Sequence, residues 1–288
     1  MLWLVPAASA ALFDALKDVV SKRSLRSISP YVVAVAFRLF GLPLLACLLL
    51  LAGVPSVQPQ FWLALVVSGS LNVVSLVLYM KAIQHSDLSL TVPMVAFTPL
   101  FLLITSPLIN GEMPSHAGIA GVALIVLGSY MLNIGLAKNG FWQPFRAIVT
   151  TRGTRLMLAV ALLWSISSNF DKIGVQASSP VLWTFSVALF GTLWLLPLAL
   201  WRSPADVHHL RSSWKHLLPV GIISAMMILA FSTAVSMTFV AYAISVKRTS
   251  VVMGVVFGRL LFAERDIRSR LLGASMMLAG VVVISLWG

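Results

Sequence analysis

Charged residues are scarce in this chain of 288 residues. They make up 10% of it, against about 25% in soluble proteins, whereas 59% of the residues are hydrophobic. The apolar runs are about 20 residues long and are not the ten-residue alternating strands of a membrane β-barrel. These features exclude a soluble globular protein and predict an all-α integral membrane protein whose surroundings are a lipid bilayer.

Other missing features exclude further classes of function. The single cysteine, Cys47, excludes a disulfide framework within the chain. No HExxH, P-loop, nucleophile elbow or glycine-rich dinucleotide fingerprint occurs, so nothing predicts an enzyme or a cofactor. His208, His209 and His216 share one polar loop without a cysteine partner, and no metal site is expected there. The net charge of +12 would suit a nucleic-acid binder, but the hydropathy excludes that partner.

The hydrophobic runs predict ten transmembrane helices. The predicted segments are approximately 1–20, 30–52, 61–83, 88–109, 116–136, 156–177, 180–201, 217–236, 239–262 and 269–287. The longest connection divides these segments five and five. It predicts a first five-helix unit at residues 1–136, a cytoplasmic linker at 137–155 and a second unit at 156–288.

The two halves repeat each other in sequence. Ser-Pro followed by Leu-Phe-Gly occurs at the same spacing from Ser29 and from Ser179. Farther on, a constant offset of 152 relates Trp62 to Trp214, Gly69 to Gly221, Ala82 to Ala234, Glu112 to Glu264, Gly121 to Gly273 and Gly128 to Gly280. Because each unit has an odd number of helices, the second unit must be inverted relative to the first. Inverted repeats with a site near the membrane midplane are the architecture of many secondary transporters.

The distribution of basic residues predicts the orientation. The connections after segments 1, 3, 5, 7 and 9, with their margins, hold fifteen of the twenty Lys and Arg, and the other loops and both termini hold none. The fifteen are Lys22, Arg23, Arg26, Lys81, Lys138, Arg146, Arg152, Arg155, Arg202, Arg211, Lys215, Arg259, Arg265, Arg268 and Arg270. The positive-inside rule therefore predicts a multi-pass protein of the cell (inner) membrane with both termini on the outer side.

Two adjacent cations, Lys247 and Arg248, lie inside the apolar segment 239–262. At 1.5 Å per helical residue, Lys247 is roughly 12 Å from the start of this segment, near the middle of a bilayer core about 30 Å thick. A cation at that depth costs about 2.5–3.5 kcal/mol on insertion scales. At the offset of 152, the first unit has Val95 and Ala96 in the same place, so the fold does not require these cations.

The pair therefore predicts an anion-binding site that faces an aqueous cavity, and a structural ion pair is the alternative. Arginine suits a bidentate oxyanion such as phosphate or carboxylate, and lysine adds a compact point charge. Thr249 and Ser250 would add hydroxyl donors to the site.

Predicted segment 6 contains another deep cation, Lys172, near the polar residue Asn169. Lys172 lies about 24 Å along a helix that enters from the cytoplasm, so it and Lys247 both fall in the outer half of the membrane and could converge. We expect Lys172 and Asn169 to contribute to the substrate site. Asp171 is either a counter-ion of Lys172 or a group for proton coupling, and adjacent residues on a helix point about 100° apart.

Besides Asp18 of the first helix, three more charged residues are predicted inside the membrane. Asp14 and Lys17 are spaced i, i+3 and can form an ion pair on one face of the first helix. Arg38 lies about 12 Å from Pro30 along the second helix and could neutralise an aspartate of the first. A structural ion pair and a role in coupling are both open for these three residues.

Each repeat also ends in an acid followed by two glycines seven residues apart. These residues are Glu112, Gly121 and Gly128 in the first unit, and Glu264, Gly273 and Gly280 in the second. Together with the two five-helix repeats, this pattern resembles the EamA type of the drug/metabolite transporter superfamily over nearly the whole chain. The resemblance implies a secondary transporter that moves a metabolite through a central cavity between the repeats. We expect the two glutamates to cap or anchor the next helix.

A narrower resemblance is to the triose-phosphate/phosphate translocators, which carry a Lys-Arg pair in the ninth helix and a lysine in the sixth. It implies that Lys247, Arg248 and Lys172 bind the anionic group of a small metabolite. The prediction is a secondary active transporter or exchanger of an anionic or zwitterionic metabolite. The alternatives are an exporter of neutral or cationic amphiphiles or amino acids and a non-transporting membrane protein with the same fold. The oligomeric state is open, a monomer included.

Overall fold

The computed structural model describes residues 2–25, 27–85, 94–95, 97–134, 152–250, 252–253 and 268–288, and every regular element in these ranges is helical. The helices are α1 (Leu4–Ser24), α2 (Pro30–Leu39), α3 (Leu42–Ala52), α4 (Gln60–His85), α5 (Thr98–Asn110), α6 (His116–Ile134), α7 (Arg152–Gln176), α8 (Pro180–Arg202), α9 (His209–Ser212), α10 (Trp214–Met237), α11 (Val240–Lys247) and α12 (Arg268–Trp287), with a 3₁₀ turn at Pro204–Asp206.

Several of these elements are long and apolar enough to cross a membrane. Five such spans are Pro30–Ala52, Gln60–Ala82, Arg152–Gln176, Pro180–Arg202 and Trp214–Met237, and three shorter apolar helices are Thr98–Asn110, His116–Met131 and Leu272–Trp287. The all-α membrane class is thereby confirmed, and the count of ten spans stays a prediction. Predicted segments 4 and 9 extend into residues 86–93 and 254–267, outside the described ranges, as does most of the predicted linker.

One predicted span, residues 30–52, consists of two helices. Pro43 lies in the first turn of α3, and a turn at Phe40 and Gly41 separates it from α2. A proline ring has no N–H to donate four residues back and clashes with that carbonyl, so an unbroken helix through Pro43 is disfavoured. The break allows Gly41 to pack against α10, where an added Cβ would lie 2.9 Å from the Gly221 carbonyl oxygen.

The helix contacts follow the internal repeat. α1 packs on α10, and α7, the counterpart of α1, packs on α4, the counterpart of α10. In the same way, α5 packs on α7 and α11 packs on α1. α6 packs on its own counterpart α12. Each contact between the units thus has an equivalent contact in which the two units have changed roles. This is the arrangement of two repeats related by a two-fold axis.

The glycines that end the two repeats meet across that axis. Gly121 of α6 approaches Gly280 of α12, and Gly128 approaches Gly273, so the two helices run antiparallel. An added Cβ on Gly280 would lie 2.6 Å from the Gly121 carbonyl oxygen. Small residues allow membrane helices to approach this closely. The offset of 152 relates these glycines in sequence, and the structure shows that they are also in contact.

We therefore predict that Gly280→Val lowers the melting temperature of the detergent-purified protein. The added carbons have no space against the α6 backbone, and overpacking of this kind costs typically about 1–3 kcal/mol. The matched control is Ala279→Val, one residue away on the exposed side of the same helix. Equal melting temperatures for the two variants would contradict the close contact.

Candidate binding cavity

A cavity of about 110 Å³ lies among α1, α2, α4, α6, α7, α8, α10 and α11. The charged side chains that line it, within the described part of the chain, are Asp14, Lys17, Asp18, Arg38, Asp171, Lys247 and Arg248. Four are cationic and three are acidic, which leaves a formal excess of one positive charge. Its aromatic lining consists of Phe37, Tyr79, Trp164, Trp183 and Phe231.

The two adjacent cations of the sequence analysis lie where α11 is interrupted. The helix ends at Lys247, and a turn follows at Arg248 and Thr249. The Thr249 hydroxyl donates to the Val246 carbonyl over 2.7 Å, so it competes with the backbone for that acceptor. The expected continuous helix through residues 239–262 is therefore broken at the cationic pair, and Thr249 is absent from the described lining of the cavity.

Neither cation of this pair has a carboxylate partner within 4.0 Å among the residues that the structure describes. Lys247 Nζ lies over the Phe231 ring, 5.1 Å from its centroid. Arg248 is 7% exposed and donates to the Thr98 hydroxyl over 3.2 Å, and its guanidinium lies 5.4 Å from the Trp164 centroid. Its buried Nε has no hydrogen-bond partner in the described ranges.

Arg38 brings a third cation to the cavity. It is 5% exposed, its stem packs against Gly191 of α8, and its buried Nη1 has no hydrogen-bond partner. The expected neutralisation of Arg38 by an aspartate of the first helix is wrong for the described residues, since Lys17 holds both of those carboxylates.

The charged residues Asp14, Lys17 and Asp18 of α1 form ion pairs with one another. Lys17 Nζ lies 2.8 Å from Asp14 and 2.9 Å from Asp18, so the ion pair predicted from the i, i+3 spacing is present. Ser250 donates to the second Asp14 oxygen over 3.1 Å, and Tyr79 donates to Asp18 over 3.2 Å. This cluster carries one net negative charge and fixes α1 against α4 and the turn after α11.

Asp171 of α7 is held by neutral donors. Ser68 donates to its Oδ1 over 2.5 Å, and the Trp183 indole N–H donates to the same oxygen over 3.2 Å. Asn72 in turn donates to the Ser68 hydroxyl over 3.0 Å. No described residue donates to Oδ2, and no described cation lies within ion-pair distance. Arg38 and Lys247 are close enough to act on Asp171 electrostatically.

Lys172, the next residue, points elsewhere. It forms an ion pair with Glu112 and donates to the Thr238 carbonyl over 2.7 Å. The second Glu112 oxygen accepts from the backbone N–H of Val240, which begins α11. Lys172 is therefore absent from the described lining and does not converge with Lys247 there. Glu112 caps a helix of the other repeat and not the next helix of its own, and Glu264 lies outside the described residues.

Asn169 is also turned toward α5. It is fully buried, accepts from Ser106 over 2.7 Å and Asn110 over 2.8 Å, and donates to Thr105 over 3.1 Å. These bonds fix α7 to α5. Asn169, like Lys172, thus has partners within the protein and does not line the described cavity.

Comparison with known proteins identifies the family. The EamA-like transporter family matches residues 1–134 and 151–286, which is nearly the whole chain in two repeats. The chain belongs to this family. Among the solved structures that match, one crystal structure has a TM-score of 0.78 at 17% identity, with 100% of this chain and 99% of that chain covered. At this identity it shows the fold alone. No curated protein matches.

Membership makes the chain a multi-pass membrane protein of a transporter family within the drug/metabolite transporter superfamily. In this EamA-like protein, Trp164, Trp183 and Phe231 line the cavity and Ser68 donates to Asp171, and no sequence pattern predicted these roles. An isolated serine or aromatic residue in an apolar helix carries no signal of which neighbour it faces. Their position follows only from the packing of α4, α7, α8 and α10 around one space.

Proposed function

We propose that this EamA-like protein transports a small anionic or zwitterionic metabolite by alternating access, and that the cavity binds its anionic group. The observation that carries the proposal is the set of three cations, Arg38, Lys247 and Arg248, which line one cavity without a carboxylate partner at ion-pair distance among the described residues.

The energetics support an external anion. A buried charged group is costly unless it is paired and hydrogen-bonded. Arg38 and Arg248 each keep a buried nitrogen with no hydrogen-bond partner among the described residues, so both guanidinium groups have donors left for a ligand. A carboxylate or phosphate oxygen could accept these hydrogen bonds, which are stronger than those between neutral groups.

The aromatic rings favour an organic ligand over a bare inorganic ion. Trp164 lies beside Arg248, and Phe231 lies beside Lys247, so apolar surface adjoins each cation. A zwitterion would also find an acidic group in the same cavity, since Asp171 has no ion-pair partner among the described residues. In this proposal Lys172 and Asn169 hold the helices in place and do not bind substrate.

The distribution of basic residues supports placing the protein in the cell (inner) membrane with both termini on the outer side. Inverted repeats would let the two halves exchange conformations, so that the cavity opens alternately to each side. The units proposed for this exchange are residues 1–136 and 156–288, although α7 already begins at Arg152.

Uptake into proteoliposomes tests the proposal. The labelled probes are lactate, succinate, glycerol 3-phosphate and serine, with glucose and tetraphenylphosphonium as neutral and cationic comparisons. We expect saturable flux of at least one of the four anionic or zwitterionic probes, with no flux of glucose. Flux of tetraphenylphosphonium alone would favour an exporter of cationic amphiphiles. No flux of any probe would favour a non-transporting membrane protein.

A further inference from the structure

The cavity contains one acidic group that differs from the others in how it is held. Asp14 and Asp18 are both ion-paired with Lys17, so protonation of either carboxylate would remove its ion pair with Lys17. Within the described part of the chain, Asp171 receives only neutral donors, Ser68 and Trp183. Protonation of Asp171 therefore breaks no ion pair within 4.0 Å among the described residues.

The geometry at Asp171 also leaves room for the proton. Both donors use Oδ1, and Oδ2 accepts no hydrogen bond from the described residues. A proton on Oδ2 leaves Oδ1 as a carbonyl oxygen, which still accepts from Ser68 and Trp183. The carboxyl group can thus gain and lose a proton while its hydrogen-bonded position is unchanged.

The charge state of Asp171 affects the cations that would bind substrate. Its carboxylate acts on Arg38 from α2 and Lys247 from α11. The other charged groups around the cavity are Asp14, Lys17 and Asp18 on α1 and Arg248 after α11, and Tyr79 on α4 donates to Asp18. If these keep their charges, one proton on Asp171 raises the formal excess from one positive charge to two.

We propose that Asp171 is the proton-binding group of the cavity and that its protonation strengthens anion binding, so that one proton crosses the membrane together with the anion. The inference rests on the transport function proposed above. The proton adds to Oδ2 from water on one side and returns to water on the other, with no other bond made or broken. Because coupling between two binding sites is reciprocal, bound anion must equally favour protonated Asp171.

The first experiment needs no substrate. Infrared spectra of the reconstituted protein are recorded across a pH series from about 3 to about 9, a range that includes the usual pKa of a carboxyl group. We expect a pH-dependent band of a protonated carboxyl group that Asp171→Asn removes and that Asp206→Asn, a change in the loop before α9, leaves in place. If the wild type and Asp171→Asn show the same protonated-carboxyl bands across the pH series, the proposal is overturned.

The second experiment measures coupling with lactate, succinate and glycerol 3-phosphate as probes. An inward proton gradient should drive their accumulation by the wild type, and a protonophore should abolish it. Asp171→Asn should lose gradient-driven accumulation and bind the probe with an affinity that no longer varies with pH. Asp171→Glu, which restores a carboxyl group, should recover coupled accumulation.

The outcomes separate the two proposals. Gradient-driven accumulation by Asp171→Asn would overturn proton coupling and leave transport intact. An Asp171-dependent infrared band without flux of any probe would overturn the transport function and support proton binding at Asp171. If Asp171→Asn fails to fold, the wild type and Asp171→Glu carry the test, and uptake by both that does not respond to the proton gradient would overturn coupling.

Discussion

Replacement of Arg248 by methionine is expected to weaken binding of the transported anion about 10- to 150-fold, since a hydrogen bond to a charged group contributes about 1.5–3 kcal/mol. Methionine keeps much of the length of the side chain against Trp164 and removes only the guanidinium. Concentration-dependent uptake in proteoliposomes measures the change. Lys247→Met should weaken binding in the same direction, because Nζ also faces the cavity without a carboxylate partner in the described chain.

Stability distinguishes a binding role of Arg248 from a structural one. In the absence of substrate, Arg248→Met should melt at or above the temperature of the wild type, because burial of a cation without a close counter-ion opposes folding. A cation needed for the fold would give a lower melting temperature. Arg211→Met, in the exposed helix α9, controls for the loss of one positive charge and should alter neither uptake nor melting. Normal uptake by both Arg248→Met and Lys247→Met would contradict the anion site.

Glu112→Ala is expected to destabilise the protein by about 3–5 kcal/mol, because removal of one partner from a buried ion pair leaves the other charge uncompensated. Lys172 would keep only the Thr238 carbonyl as a hydrogen-bonded partner, and the N–H of Val240 would lose its acceptor. The melting temperature in detergent measures the loss, which should occur whether or not a substrate is present.

The double variant Glu112→Ala/Lys172→Met provides the control. Replacing both members of a buried pair by apolar groups is often close to neutral, so most of the stability should return. The stability that does not return should be that of the hydrogen bond from the Val240 N–H, which has lost its acceptor in Glu112. If the losses of the two single variants simply add in the double variant, the ion pair contributes nothing and its assignment is wrong.

Much of the architecture could be predicted because it depends on local pattern. The offset of 152 identified Gly121 and Gly128 as counterparts of Gly273 and Gly280, and these residues meet across α6 and α12. The same offset related Lys247 to Val95, and both line the cavity in the structure. The internal repeat therefore predicted correctly that equivalent residues of the two units occupy equivalent positions in the fold.

The partners of the charged residues could not be predicted in the same way. Asp14 and Lys17 were paired correctly because i, i+3 neighbours share a helix face. Arg38 was assigned an acidic partner that Lys17 already holds, and Lys172 was placed at the substrate site although Glu112 binds it. Glu112 and Lys172 are 60 residues apart, so no helical periodicity relates them.

The sequence by itself determined the membrane class, the duplicated unit and the presence of cations at a depth where the fold does not need them. Hydropathy, repetition and depth are properties of one segment at a time. Only the tertiary structure decided which charges face the cavity. Asp171 and Lys172 are adjacent, but a step of about 100° around α7 directs one to the cavity and the other to Glu112. Which direction faces the cavity depends on how α4, α5, α8 and α11 pack around α7, and that packing is not contained in any single helix.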